Sequence, residues 1–364
     1  MKTARLWQMF AFLAVTLALG TAPARAGHHD RDHHLAVNKV HGPLSVMVLG
    51  SGGPMAMPSG RASAGYLIFV DGKPRILMDT GGGTFKSLAM SGTNIHGLDL
   101  VLLSHMHIDH QDDLPAMVKT IYFHARAAGT RRTAPINIFG PGANGLTFPA
   151  AMFPDASKST QYPSTSEFVN GLFNIHTGLD RYLHIFARAI SGGVFNYTVT
   201  DIPAPAPPKV AGQSVSTIYN HNGLVIKAIA VIHGPCPAVA YRIEYKGHSI
   251  VYSGDTSSKT GNMAKIARGA DLLIYDTSIM DDLPNGPNDG VFFKLHTTPT
   301  RMGEVAASAR PDELLLSHLT PITQPRLDTV RSLIRAQGYT GDIDVAHDLK
   351  VINLGDDGHG GDRD

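Results

Sequence analysis

Leu102-Leu103-Ser104-His105-Met106-His107-Ile108-Asp109-His110 is an apolar run that ends in four potential metal ligands within six residues. An extended segment entering from Asp99 brings His105 and His107 out on one face, because side chains along a strand alternate with a period of two, and Asp109 shares their parity. A helical turn starting near Asp109 would swing His110 toward a second centre instead. Imidazoles and a carboxylate this close together suit zinc or a similar borderline ion, and neighbouring imidazoles are costly as a purely structural arrangement in an apolar setting. The stretch is read as a metal site.

Upstream, residues 44–49 read as a strand running into Gly50-Ser51-Gly52-Gly53-Pro54. These glycines lack the Lys-Ser/Thr ending of a nucleotide-binding loop and are read as a tight turn near the site. Residues 65–70 and 75–78 flank Asp71-Gly72-Lys73-Pro74, a hairpin signal, and the second of these strands ends at Asp79. Downstream, residues 113–126 place Leu114, Val118, Ile121 and Tyr122 on one helical face, with Asp112 or Asp113 as a cap, and 136–139 predict another strand. Residues 142–222 are rich in Pro, Phe, Tyr and Ser, and the expectation there is an inserted cap or lid. Phe148, Phe153, Phe168, Phe173 and Tyr182 could wall a pocket or simply pack. Beyond it, apolar runs lead to His233, to Ser253-Gly254-Asp255, to Asp276 and, after a helix over 300–310, to His318.

His105-Met106-His107-Ile108-Asp109-His110 resembles the signature of the metallo-β-lactamase superfamily. The resemblance implies that His105, His107 and His233 hold one ion, that Asp109, His110 and His318 hold a second, that Asp255 bridges them, and that Asp79 supports a ligand histidine. His296-Thr297-Thr298, Asp276 in Leu273-Ile274-Tyr275-Asp276, and Ser317-His318-Leu319-Thr320-Pro321 are similar to the branch of ribonuclease Z, arylsulfatase-like and class II phosphodiesterase-like proteins. In that branch His296 would assist the leaving group as a general acid and Asp276 would orient it, with Asp109 as a further catalytic residue and water activated by the metal pair as the nucleophile. Cys236 is read as a small buried neighbour. His41, His96, His124, His176, His184, His221, His248 and His347 are read as packing, capping or surface residues.

Lys2 and Arg5 followed by an apolar run to Gly20 and by Ala24-Arg25-Ala26 read as a signal peptide over 1–26, so the expectation is a periplasmic or secreted protein with no membrane attachment after cleavage. Cleavage would remove Lys2, Arg5 and Arg25 and no acid, taking the formal charge from +1 to −2. One cysteine excludes an internal disulfide. Members of the branch that process transfer RNA carry a long arm, commonly between the third histidine and the bridging aspartate, whereas His233 to Asp255 spans 22 positions here. Short arm and acidic charge together suggest a small-molecule ester substrate and no nucleic acid. Nothing in the chain decides between a monomer and a homo-oligomer.

The expected fold is α/β, a four-layer αβ/βα sandwich with a cap-like insertion. A flexible His-rich segment is expected over 27–43, the hydrolase domain over 44–355 with the insertion at 142–222, and a flexible tail over 356–364. The expected function is exported hydrolysis of a phosphodiester or related small ester with two divalent ions, expected to be Zn2+, by way of a hydroxide on the metal. A lactonase or aryl sulfatase is the alternative on the same site. A metal-scavenging protein, suggested by His28, His29, His33 and His34, is the non-enzymatic alternative.

Overall fold

In β1 (Leu44–Gly50) every residue is buried, and successive side chains enter different cores: Val46 and Val48 go to one, Met47 and Leu49 to another. The same division runs through β2 (Gly65–Val70) and β3 (Lys73–Thr80), where Ile68 and Ile76 oppose Leu67 and Leu77. A sheet that is apolar on both faces has to be covered on both. The computed structural model describes residues 35–148, 161–284 and 289–355 and shows how this is done.

The first half continues with α1 (Thr84–Ser91), β4 (Leu100–Leu102), α2 (Ile108–Gln111), α3 (Leu114–Ala127), β5 (Ile136–Pro141), α4 (Thr165–Leu172), α5 (Asp180–Ser191) and β6 (Tyr197–Ile202). The second half runs β7 (Ser216–His221), β8 (Leu224–His233), β9 (Cys236–Tyr245), β10 (His248–Tyr252), α6 (Asn262–Ile266), β11 (Leu272–Asp276), α7 (Asp289–Leu295), α8 (Pro299–Ala309), β12 (Glu313–Ser317), α9 (Leu327–Ala336) and β13 (Asp342–Val345). A last strand, β14 (Val351–Leu354), returns to the first half and pairs antiparallel with β1. Two seven-stranded sheets result, in the orders β14-β1-β2-β3-β4-β5-β6 and β13-β12-β11-β10-β9-β8-β7.

The sheets face each other through Val46, Ile68, Ile76 and Leu100 on one side and Ile226, Val239, Ile250 and Leu315 on the other. Leu88 of α1, Val118 and Ile121 of α3, Val169 of α4 and Leu183 of α5 cover the outer face of the first sheet. Met263 of α6, Met302 of α8 and Ile334 of α9 cover that of the second. This is the expected four-layer helix–sheet–sheet–helix sandwich. The two-residue turns Asp71-Gly72 (φ 48° and 71°) and Lys246-Gly247 (φ 47° and 86°) are left-handed at both positions, as tight hairpins between right-twisted strands require. Among the described residues no helix is long and apolar enough to cross a membrane.

The described part of 142–222 is not a cap. β6 pairs in parallel with β5 from Ile136↔Tyr197 to Pro141↔Ile202, and β7 forms the edge of the second sheet beside β8. Between them α4 and α5 bury Val169, Leu183 and Ala187 in the outer core, so this stretch completes both sheets. Phe173 is a core residue whose ring lies 5.3 Å from that of Phe195, Phe168 packs on the same core, Tyr182 is exposed, and Phe148 stacks on Tyr162 at 3.9 Å. Phe153 lies outside the described residues. Ordered packing also begins earlier than residue 44. A short 3-10 turn, Ala36–Lys39, buries Ala36 against the outer core, with Val37 and Val40 beside it, and the His41 amide donates to Asn353 Oδ1 at 3.0 Å. The proposed leader, the His28–His34 run and the tail from 356 lie outside the described residues.

Candidate metal centre

β4 ends at Leu102, short of the histidines, and α2 starts at Ile108 with His107 in the N-cap position. Strand parity therefore does not reach Asp109. The single turn of α2 rotates Asp109 and His110 away from His105 and His107, giving two ligand groups in place of one face. α2 rests on Gly81, where a Cβ would fall 2.0 Å from the Asp109 carbonyl oxygen. His233 closes β8, Asp255 follows β10, and His318 follows β12 in a left-handed conformation (φ 55°). The glycine turn after β1 lies against that last histidine, since a Cβ on Gly53 would stand 2.9 Å from His318 Cε1.

Donor atoms of His105, His107, His233 and Asp255 converge in one group, and those of Asp109, His110, Asp255 and His318 in a second, so all seven candidate ligands are brought together and Asp255 is shared. In the second group His110 Nε2 and His318 Nε2 are 3.1 Å apart, and Asp109 Oδ2 and Asp255 Oδ1 lie 3.2 to 3.4 Å from them. These five separations match edges of a tetrahedron whose donors stand about 2.0 to 2.1 Å from its centre, the radius for zinc with nitrogen and oxygen ligands. In the first group His233 Nε2 and His107 Nδ1 are 3.0 Å apart, with Asp255 Oδ2 3.8 Å from His233 Nε2 and 3.9 Å from His105 Nε2. His105 Nε2 and Asp255 Oδ1 are buried polar atoms without a hydrogen-bond partner. Such atoms are costly unless a cation takes them, and the donor set of neutral imidazoles and carboxylates fits divalent zinc-like ions.

The far side of each imidazole explains why the near nitrogen carries a lone pair. Asp79 Oδ2 accepts from His110 Nδ1 at 2.7 Å, and the carboxylate is itself held by the Ser104 amide (2.7 Å), the Ser104 hydroxyl (2.6 Å) and the Tyr252 hydroxyl (2.8 Å). Since Ser104 Oγ donates to Asp79, it accepts from His105 Nδ1 at 3.0 Å. His233 Nδ1 donates to the Leu295 carbonyl at 2.8 Å. His105, His110 and His233 are thereby each oriented with Nε2 turned to the donor group, whereas His107 turns Nδ1 to it. Ser104, Tyr252 and Leu295 escaped the sequence reading. Ser104, directly before the first histidine, carried the one available signal.

Burial pushes His105 well below the ordinary imidazole range and takes His233 down to about 3. At His110 and His318 burial acts in the same direction but is outweighed. Asp255, Asp109 and Asp79 hold His110 well above its usual value, and Asp255, Asp109 and Asp276 push His318 up to about 10. The first group thus presents neutral lone pairs, and the second is strongly cation-seeking.

His296 Nδ1 donates to Asp276 Oδ2 at 2.7 Å, and the ring lines a cleft of about 630 Å³ whose floor includes His107, Asp109, His233 and Asp255. Pro54, Met106, Ile108, Phe292 and Leu295 form its apolar wall, and none of the described aromatics of 142–222 lines it. Cys236 is buried, and burial pushes its thiol up to about 12. The other described histidines stand apart from both ligand groups: His96 bonds Asn94, His124 accepts from the Ile95 amide, and His248 pairs with Asp271.

The chain matches the Metallo-beta-lactamase superfamily over residues 59–145 and the Beta-lactamase superfamily domain over 189–319. A ribonuclease Z of Mycobacterium marinum is 27% identical over 315 residues, covering 85% of this chain and 99% of the relative. Among solved structures, the metallo-beta-lactamase fold protein YhfI of Bacillus subtilis superposes with a TM-score of 0.57 at 22% identity over 85% of this chain and 99% of that one. The short form of human tRNase Z gives 0.55 at 21% identity over 85% and 99%. These relatives correct the expectation of a small-molecule ester substrate and no nucleic acid, because relatives aligned along most of the chain are ribonucleases by name. The formal charge of the chain counts side chains alone, and divalent cations held at the site would place positive charge where a phosphate arrives. The interval between His233 and Asp255 is occupied by β9 and β10 as a tight hairpin. Asp79 and the His105–His110 cluster fall inside the first match, and His233, Asp255, Asp276, His296 and His318 inside the second: the chain belongs to the metallo-β-lactamase superfamily, in the branch of its ribonuclease Z relatives, and is a metal-dependent hydrolase.

Proposed function

We propose that the chain hydrolyses phosphodiesters of RNA with two divalent cations, zinc or a similar ion, held by His105, His107 and His233 on one side, Asp109, His110 and His318 on the other, and Asp255 between them. The observation that carries this reading is the position of Asp255, whose Oδ2 faces the first group at 3.8 to 3.9 Å while its Oδ1 faces the second at 3.3 to 3.4 Å. When bound, such a pair supplies Lewis acidity, lowers the pKa of water and neutralises charge on the phosphoryl oxygens. The protein's own contribution is the His296–Asp276 pair. Asp276 accepts the Nδ1–H hydrogen bond and keeps that hydrogen on Nδ1, leaving Nε2 to hold a second proton and hand it to the leaving oxygen. Burial disfavours that second proton, but the charges of Asp276 and Asp255 outweigh it and raise His296 above its ordinary value. Ile108 and Phe292, exposed at the cleft, offer apolar surface to a base beside the scissile phosphate.

The test is hydrolysis of a synthetic oligoribonucleotide by zinc-loaded protein, with a chromogenic aryl phosphodiester as reporter and a lactone and an aryl sulfate alongside. Cleavage of both diesters is expected, and turnover confined to the lactone or the sulfate would overturn the reading. His296→Ala should keep its metal and lose about 10²- to 10⁴-fold in kcat. Metal loss in that variant would reassign His296 as a ligand. We also propose export, on the pattern of residues 1–26; a periplasmic fraction whose protein begins at Gly27 is expected, and an intact N-terminus in the cytosol would refute it.

A further inference from the structure

Asp276 reaches two histidines in two directions. Its Oδ2 accepts from His296 Nδ1 at 2.7 Å, and its Oδ1 accepts a short hydrogen bond from the Ser278 hydroxyl. The same hydroxyl oxygen lies 2.6 Å from His318 Nδ1. A serine has one proton to give, and with that proton on Asp276 the oxygen accepts from His318, which must then carry hydrogen on Nδ1 and a lone pair on Nε2. The direct separation of His318 Nδ1 from Asp276 Oδ1 is 3.4 Å, and the serine oxygen bridges it. All four residues are buried. The serine's own segment is pinned to the loop after His318, because the Thr320 hydroxyl donates to the Ser278 carbonyl and the Thr323 hydroxyl to the Thr277 carbonyl, each at 2.7 Å.

We propose that Ser278 is a positioning residue that ties cation binding at His318 to the placement of His296, through the one carboxylate of Asp276 that both histidines share. The inference rests on the reading above for one point, that His318 Nε2 takes a cation. A cation there withdraws electron density from the ring and makes Nδ1–H a stronger donor to Ser278. The hydroxyl in turn donates more strongly to Asp276 Oδ1, and the carboxylate then holds His296 Nδ1–H less tightly. No proton changes owner. The chain of three hydrogen bonds transmits occupancy of the second group to the proton-donating residue.

The test needs no substrate. Protein labelled with 15N-histidine is titrated with Zn2+, reading bound zinc after equilibrium dialysis and the downfield Nδ1–H resonances, that of His296 being identified by its absence from His296→Gln. In the wild type the His296 resonance should move together with filling of the His318 group. Ser278→Ala should weaken that ion about 10- to 100-fold, leave the other ion in place, and uncouple the His296 resonance from it. Ser278→Thr, which keeps the hydroxyl, should behave as the wild type. Should the alanine variant not fold, Ser278→Cys, similar in size with a weak donor, carries the same expectation. Wild-type affinity for both ions in Ser278→Ala, or a His296 resonance that still follows the second ion there, overturns this inference alone. A wild type that takes no cation at His318 overturns it together with the two-cation reading, and failure to cleave RNA touches only the proposed function.

Discussion

Asp79 stands in a left-handed conformation (φ 54°), fully buried, and gathers hydrogen bonds from Ser104, Tyr252 and His110. An amide in its place would offer hydrogens where four donors already point, two of them from Ser104. Asp79→Asn should therefore free His110 from its tautomer and weaken cation binding about 10- to 100-fold, measured by competition with a chromogenic chelator. Cys236 gives a second residue-scale expectation, with its sign set by burial. A thiol pushed up to about 12 stays protonated through neutral and mildly alkaline pH. Iodoacetamide should thus modify it at pH 8 at least about 10³-fold more slowly than an exposed cysteine, with the rate still climbing about tenfold per pH unit and levelling only near pH 12, as followed by intact mass. The candidate ligands were legible in the sequence because His and Asp at the ends of apolar strands have few other reasons to be there. Ser104, Ser278 and Tyr252 were not, because serine and tyrosine occur everywhere and their roles here come from contacts between residues up to 173 positions apart.

Asp113, one of the two expected caps of α3, serves a different helix. It holds the N-cap position of α3 without a side-chain bond there, while its Oδ2 accepts from the Gly83 amide (2.9 Å) and the Phe85 amide (2.8 Å) at the start of α1. Asp113→Ala should destabilise the fold by about 1 kcal/mol, read from the urea midpoint, with zinc content unchanged. Gly81→Ala should act in the opposite way. A methyl 2.0 Å from the Asp109 carbonyl must push α2 aside, so zinc content should fall by about one ion per chain even where the fold survives. Most elements could be read directly: the hairpins at Asp71-Gly72 and Lys246-Gly247 announce themselves through turn residues, and buried strands such as β8 and β11 through apolar runs. β6 and β7 could not, because both are edge strands with most side chains exposed or half-buried, and a polar edge carries little hydrophobic period. For β7 the signal lay in Asn222-Gly223, a tight-turn pair with φ 50° and 80° that links it to β8.

At the scale of the molecule, the second ligand group draws Asp109 and His110 from the first half and Asp255 and His318 from the second. A cation there ties the two sheets together and should add about 2.7 kcal/mol of stability at a free concentration of 100 times its Kd. Chelation should lower Tm by several degrees, and a thermal scan that ignores the chelator would argue against a site spanning both halves. β14 adds a requirement of another kind. Residues 351–354 pair with 44–47, closing the edge of a sheet whose other six strands are complete by residue 202. Until the ribosome has released almost the whole polypeptide, β1 therefore offers a long, apolar, unpaired edge to any neighbouring chain. A protein cut after Val345 would keep every candidate ligand and still be expected to aggregate during synthesis, so that β14 would act as the molecule's safeguard against its own copies.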